Sequence, residues 1–541
     1  MPVDLPSEQL EEALSTKTPF WWLRHSRFDG GVGIRYRKEH RTSLKERYGY
    51  WFGDWDTWDD PAHLPVLATV STTPTGISAL ETDYASMIEV ALGGVWYVVL
   101  VKGTKSYATT DDAFGAATDT VTSAQGRQLV YGYVTGTNDY ILVWFCGSGA
   151  TARYTTNPTG TWTAIGSTPI TMVCGWFAYA GSTDQQTLFA IRVGGGALAN
   201  HIYGITTLSG AWSDTGIAVP PAISSGIGVI PLGSLTDNGT VFLANGPRIW
   251  EVTHSSRSSV AVPHVHWTGL AEITYGCRLR DRFAITDGST ILLWHPTQPS
   301  IDISIWSADG VPSDRTGRVR SLVSLGDILI AYYELDAGGT SIYWGRFNGQ
   351  GDFCWHQRMK AQTGEFPLSV GSPMVMAHQT YSTSQRFWMI TADTSVSRAV
   401  RQDFPKRCYN PLVDTTSQYE DGPLYIYMPH EDLIILGDLG GVAKLVDHNA
   451  DLSTTETLEI AYRSDYPTAT EVGASWTTAV TFTGKQQRAW MKGSSGVVAT
   501  SIQLRYGLNR SETVTATPYV RDVGVLVETA NRRRKLHSTR T

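Results

Sequence analysis

With 541 residues the chain exceeds the roughly 250–300 at which a single hydrophobic core stops growing, so it divides into domains or repeats. Charged residues make up 17% and the formal charge is −7, which leaves no bulk attraction to nucleic acid or an anionic membrane, and no apolar run approaches the ~18 residues of a membrane-spanning helix. A hydrophobic fraction of 42% with 53 Gly, 19 Trp and 25 Tyr argues for many short strands joined by tight turns and against large-scale disorder.

Residues 1–64 read as an N-terminal arm. Ser7 to Leu14 forms one short helix, with Ser7 as N-cap and Glu8, Glu11 and Glu12 near its positive end. These acids stand where an export signal carries positive charge, so no such signal is expected. From Phe20 to Asp60, aromatic residues alternate with Arg24, Arg27, Arg35, Arg37, Lys38, Arg41, Lys45 and Arg47. Cations interleaved with rings suit single-stranded nucleic acid. The neighbouring Glu39, Glu46, Asp54, Asp56, Asp59 and Asp60 repel phosphate, and the mixture fits a subunit-binding arm better. The candidate assembly contacts are therefore Trp21, Trp22, Arg24, Arg27, Arg35, Arg37, Arg47, Trp51, Trp55 and Trp58.

Residues 65–452 carry groups of short alternating runs. Ile88 to Val101 turns at Gly93-Gly94; Gln128 to Phe145 turns at Thr137-Asn138-Asp139; Leu188 to Val193 and His201 to Thr206 flank a glycine-rich turn. A tryptophan edge recurs at Trp162 and Trp212, and further groups centre on Thr240–Glu251, Arg282–Trp294, Ser321–Phe347, Arg386–Ile390 and Leu424–Ile435. The recurrence, at about 40–50 residues, is that of a four-stranded propeller blade, and about seven or eight blades fit the length. Two stacked sandwiches are the competing arrangement.

The rhythm lengthens over 453–529, where Ile502, Leu504, Tyr506 and Leu508 alternate with Gln503, Arg505 and Gly507, as in a half-buried strand of a small β-sandwich. Residues 530–541 form a basic tail in which Arg532, Arg533 and Arg534 are further candidate contacts. The fold class is thus all-β: a multi-bladed propeller, then a sandwich, with an arm at each end.

Three regions resemble the propeller-bearing tail or tail-tip proteins of tailed bacteriophages. They are Phe28-Asp29-Gly30-Gly31-Val32-Gly33 with the stretch to Leu44-Lys45-Glu46-Arg47-Tyr48-Gly49-Tyr50; Asp309-Gly310-Val311-Pro312-Ser313-Asp314-Arg315-Thr316-Gly317; and a C-terminal set. That set comprises Lys444-Leu445-Val446, Tyr462-Arg463-Ser464-Asp465, Trp476, Ile502-Gln503-Leu504-Arg505 and Thr517-Pro518. The resemblance implies a structural subunit of the virion tail, made in the host cytoplasm and partnered by other tail subunits in a symmetric ring or bundle. A host-surface glycan is the further candidate partner; nucleic acid and a membrane span are not expected.

Signatures of common enzymes are missing: there is no GxSxG elbow, HExxH helix or Walker loop, and no catalytic residue or cofactor is assigned. His264-Val265-His266 places two imidazoles on one strand face, a start for a zinc site, but no third ligand is identifiable and no metal is expected. Ser182 to Phe189 has the spacing of the Asp-box turn of sialidase-like propellers, with Gln and Phe where Gly and Trp belong. A propeller glycosidase or lectin is accordingly the alternative function. The first needs two carboxylates flanking a sugar bond, whereas Asp237, Asp287 and Asp336 read as turn formers. Cys146, Cys174, Cys277, Cys354 and Cys408 are widely spaced and odd in number, and read as small core residues of a reducing compartment.

Overall fold

The computed structural model describes residues 20–26, 28–32, 50, 52–58, 61–65, 69–70, 85–110, 113–134, 139–147, 150–167, 170–179, 186–192, 200–205, 207–220, 229–235, 239–256, 259–305, 317–336, 340–361, 374–377, 384–392, 397–405, 422–433, 441–464, 475–484, 486–491, 496–510 and 517–529. Every regular element among them is a β-strand. The helix expected over Ser7–Leu14 and the tail 530–541 lie outside the described residues.

Seven antiparallel sheets form the blades of a propeller. Their innermost strands are Ala85–Leu92, Gln128–Val134, Met172–Tyr179, Ile230–Gly233, Tyr275–Leu279, Gly317–Leu325 and Met374–Ala377. Each touches the next, and the seventh touches the first, so the ring closes. The fourth strand of blade seven is Thr69–Val70, which arrives from ahead of blade one and pairs with Ser397–Pro405 through Val400↔Val70 and Arg401↔Thr69. The chain thereby clasps its two ends, removing the seam that an open ring would leave.

The reason for these blades lies in strand composition. In the second strand of blade two, Asp139–Phe145, Leu142 and Trp144 join the apolar cluster shared with blade one, while Ile141, Val143 and Phe145 join the cluster shared with blade three. A strand with a blade on either side needs apolar residues on both faces, hence the unbroken Ile-Leu-Val-Trp-Phe run. Outer strands bond sideways as well: Trp162, before the last strand of blade two, donates its indole N–H to Ser106 Oγ of blade one at 3.0 Å.

Two further sheets stand beside the propeller and share one hydrophobic core. One is ordered Phe20–Ser26, Tyr519–Thr529, Gly441–Asp451, Arg488–Trp490; the other Phe52–Gly53, Leu424–Tyr427, Ser501–Asn509, Thr457–Ser464, Thr477–Thr483. Val446, Val523, Val525 and Val527 of the first meet Leu458, Ile460, Ile502, Leu504, Tyr506 and Leu508 of the second. The expected boundaries need correction at both ends. Leu424–Tyr427 and Gly441–Asp451 leave the propeller, because they pair with Ser501–Asn509 and Tyr519–Thr529.

The arm expected over 1–64 is likewise corrected where it is described. Phe20–Ser26 is an edge strand in full register with Tyr519–Thr529, from Phe20↔Glu528 to Ser26↔Asp522. Tyr50 and residues 52–58 form the joint with the propeller. Phe28, Val32, Tyr50 and Trp55 are buried in a core that runs on into blades five and six. The Val32 N–H donates to the Trp355 carbonyl, on the outer strand of blade six, Phe353–Ala361, at 2.7 Å. Gly31, at φ +73°, makes this approach feasible: a Cβ there would fall 2.3 Å from the Trp355 oxygen. Of the aromatic side chains expected to await a partner, Trp22 and Trp55 are covered by the chain's own distant strands, the cheaper way to remove them from water.

Candidate functional site

The outer part of blade four gathers the one group of histidine, cysteine and acidic side chains among the described residues that is placed to share a metal ion. Strand Arg248–Ser256 pairs with His264–Trp267 through Glu251↔His264, Trp250↔Val265, Ile249↔His266 and Arg248↔Trp267. Residues two apart share a strand face, so His264 and His266 point the same way. Glu251 is directly opposite His264 and diagonal to His266, within the reach of cross-strand partners. Glu251 Oε2 lies 2.9 Å from His266 Nε2 and 3.7 Å from His264 Nδ1. The two imidazole centroids are 4.4 Å apart, and one donor atom from each of the three residues lies within 4.8 Å of the others.

Exposure within the group is graded. The His264 side chain is 74% exposed, Glu251 32% and His266 14%. His266 is fixed from behind by the buried Trp294 of blade five, edge-on at 5.2 Å. Trp267 is 64% exposed, with the Arg248 guanidinium 4.4 Å from its ring centre. Sequence reasoning found the histidine pair but missed Glu251, thirteen residues upstream. Only the register of the pairing says which acid faces them.

The expected assembly contacts are placed differently. Trp22 is 8% exposed and Trp55 fully buried, with its indole N–H donated to the Leu424 carbonyl at 2.9 Å. Arg24 is ion-paired within the chain, to Asp522 at 2.6 Å and Asp447 at 3.2 Å. Trp58, half-buried, packs edge-on to Trp344 and beneath the Arg346 guanidinium at 4.0 Å. Trp22 and Arg24 are thus held within the two-sheet unit, Trp55 is bonded to it and Trp58 packs on blade six; Trp22 and Trp55 are buried by the chain itself rather than open to a partner. Trp21 is half-buried on the same edge strand. Arg27, Arg35, Arg37, Arg47, Trp51, Arg532, Arg533 and Arg534 lie outside the described residues.

Other expected features are also located. A cavity of about 350 Å³ between blades five and six is lined by Leu279, Arg280, Asp281, Arg282, Leu293, Phe347, Asn348 and Gly351. Asp281 is the lone carboxylate in that lining, so the two-carboxylate geometry of glycoside hydrolysis is not met there. Asp287 is a turn former: burial would raise its carboxyl, but bonds from the amides of Thr290 and Ser289 and the Ser289 hydroxyl outweigh it and hold it below the usual range. Cys146 and Cys174 are buried free thiols pushed up to about 12 by burial. Asp237, Cys408 and residues 182–185 of the Asp-box stretch lie outside the described residues.

Neither a protein-family model nor a curated protein matches the sequence. Solved structures do resemble it in outline. One is BBS1N in complex with ARL6DN, at 11% identity and a TM-score of 0.40, covering 66% of this chain and 99% of that one. The Dos1 propeller is similar at 9% identity and a TM-score of 0.34, over 57% of this chain and 75% of that one. A lectin of Aleuria aurantia, in complex with α-methyl-L-fucoside, is similar at 13% identity and a TM-score of 0.31, over 53% and 97%.

Proposed function

We propose that the chain is a non-enzymatic structural subunit of a larger protein assembly, of the kind built into the tails of tailed bacteriophages. The resemblance of its sequence to such proteins supports the setting. The observation that carries the docking role is an open sheet edge. Arg488–Trp490 and Val497–Ala499 both pair with Gly441–Asp451 and, among the described strands, with no second neighbour. Trp490 and Val498 on this edge are 54% and 65% exposed, while Val497 and Ala499 turn inward. An open sheet edge bearing exposed apolar side chains is where another chain can add on.

The edge serves a symmetric ring or bundle, in which one weak contact is repeated by every copy. Sedimentation velocity on the purified chain, with glycoside turnover measured in parallel, tests the reading. The expected result is concentration-dependent self-association that Trp490→Asp with Val498→Asp abolishes, and no turnover. A monomer at every concentration that hydrolyses a glycoside, and stops when one propeller carboxylate is replaced, overturns it.

A further inference from the structure

We infer that Glu251, His264 and His266 form a binding site for a divalent transition-metal ion, zinc being the best fit, on the outer edge of blade four. Two imidazoles and one carboxylate are a donor set that such ions take, with bonds of about 2.0–2.2 Å. In a tetrahedral site those bonds put neighbouring donor atoms about 3.3–3.5 Å apart. The Glu251 oxygen lies on either side of that spacing, at 2.9 Å from one imidazole nitrogen and 3.7 Å from the other. Small side-chain rotations therefore bring all three donors onto one ion, with no change in strand register.

Three further observations favour a chelating site over a surface ion pair. One carboxylate oxygen is shared by two histidines, where a simple pair needs one. The ligands come from two strands locked by four consecutive backbone pairings, so their spacing is set before any ion arrives. His266 is held in orientation by edge-on packing against the buried Trp294, so its ring is placed before any ion arrives. The blade-three pair of His201 and Asp214, at 3.0 Å, shows the contrast: it is a histidine and an acid with no third donor in reach among the described residues.

With three protein donors, a tetrahedral ion keeps one position for water. The exposure of His264 directs that position outward. The ion staples the outer strand of blade four to its neighbour.

The test uses the full chain, without a histidine tag and stripped with chelator, titrated with Zn²⁺ by calorimetry and with Co²⁺ by visible absorption. The expected result is one equivalent of Zn²⁺ bound, a tetrahedral Co²⁺ spectrum that Zn²⁺ displaces, and a melting temperature raised by Zn²⁺. His264→Ala, at an exposed position that leaves folding intact, should weaken binding by more than the ~10–100-fold that loss of an outer-shell partner costs. Glu251→Gln should weaken it too, and His201→Ala should leave it unchanged. No saturable binding by the parent chain, or equal binding by parent and His264→Ala, overturns the site.

Discussion

At the scale of single residues, His254 shows how the propeller tolerates a titratable group in its core. It is 2% exposed, stacked on Phe189 at 3.8 Å between ring centres, and its Nε2 accepts the Trp176 indole N–H at 3.1 Å. The accepted bond assigns the proton to Nδ1, so the ring is neutral, and burial lowers its pKa from 6.5 to about 3. The folded value lies below the unfolded one, so the contribution is whole above pH 6.5 and is lost as pH falls from 6.5 towards 3. At about 1.4 kcal/mol per unit, the loss is on the order of 5 kcal/mol by pH 3. His254→Gln keeps an acceptor for Trp176 without the titration. Urea unfolding should find it less stable than the parent at pH 7, yet with a shallower decline between pH 6.5 and 4. Equal slopes would show that another group governs the acid limb.

At the scale of elements, the N-terminal segment is where expectation and structure part most. Its mixed aromatic and charged composition resembles an interface, and the composition of an interface and of a joint between two parts of one chain is the same physics. Deciding between them needs the partner strands, which lie some four to five hundred residues further on. Phe20–Ser26 completes one sheet, Phe52–Gly53 the other, and Trp55 is buried between the two-sheet unit and blade six. Deleting residues 1–60 should therefore abolish cooperative folding of the C-terminal unit, exposing Val523, Val525 and Val527 along the stripped sheet. Circular dichroism with limited proteolysis checks this. A truncated chain with the parent's melting temperature and protease resistance would restore the free arm.

At the scale of the whole molecule, a buried ion pair couples the propeller to the two-sheet unit. Arg358 of blade six and Asp56 of the N-terminal segment meet at 3.2 Å, their side chains 2% and 1% exposed, with Trp344 4.7 Å from the guanidinium. Around them, Thr57 Oγ1 bonds His356 Nδ1 at 2.9 Å and Tyr50 OH at 3.1 Å. Removing one partner strands the other charge away from water, which typically costs about 3–5 kcal/mol. Asp56→Ala should lower the calorimetric melting temperature and split a joint transition into two, one for each body. Arg358→Met added to Asp56→Leu should recover much of the loss, since an apolar pair needs no desolvation of charge. If Asp56→Ala melts as the parent does, the pair does not hold the two bodies together.

By itself the sequence determined the all-β class and the propeller, because both follow from local patterning. A strand flanked by two blades must be apolar on both faces, as Ile141 to Phe145 is, and blades recur at the length of one four-stranded sheet. The histidine pair at 264 and 266 was legible for the same reason, since period two puts both on one face. Tertiary structure alone decided the number of blades, the clasp of Thr69–Val70, the placement of Phe20–Ser26 beside Tyr519–Thr529 and the meeting of Glu251 with the histidines. Each of these is a pairing between strands. Backbone hydrogen bonds, which make the pairings, are the same for every residue but proline, so the sequence carries no mark of which strand will be the neighbour.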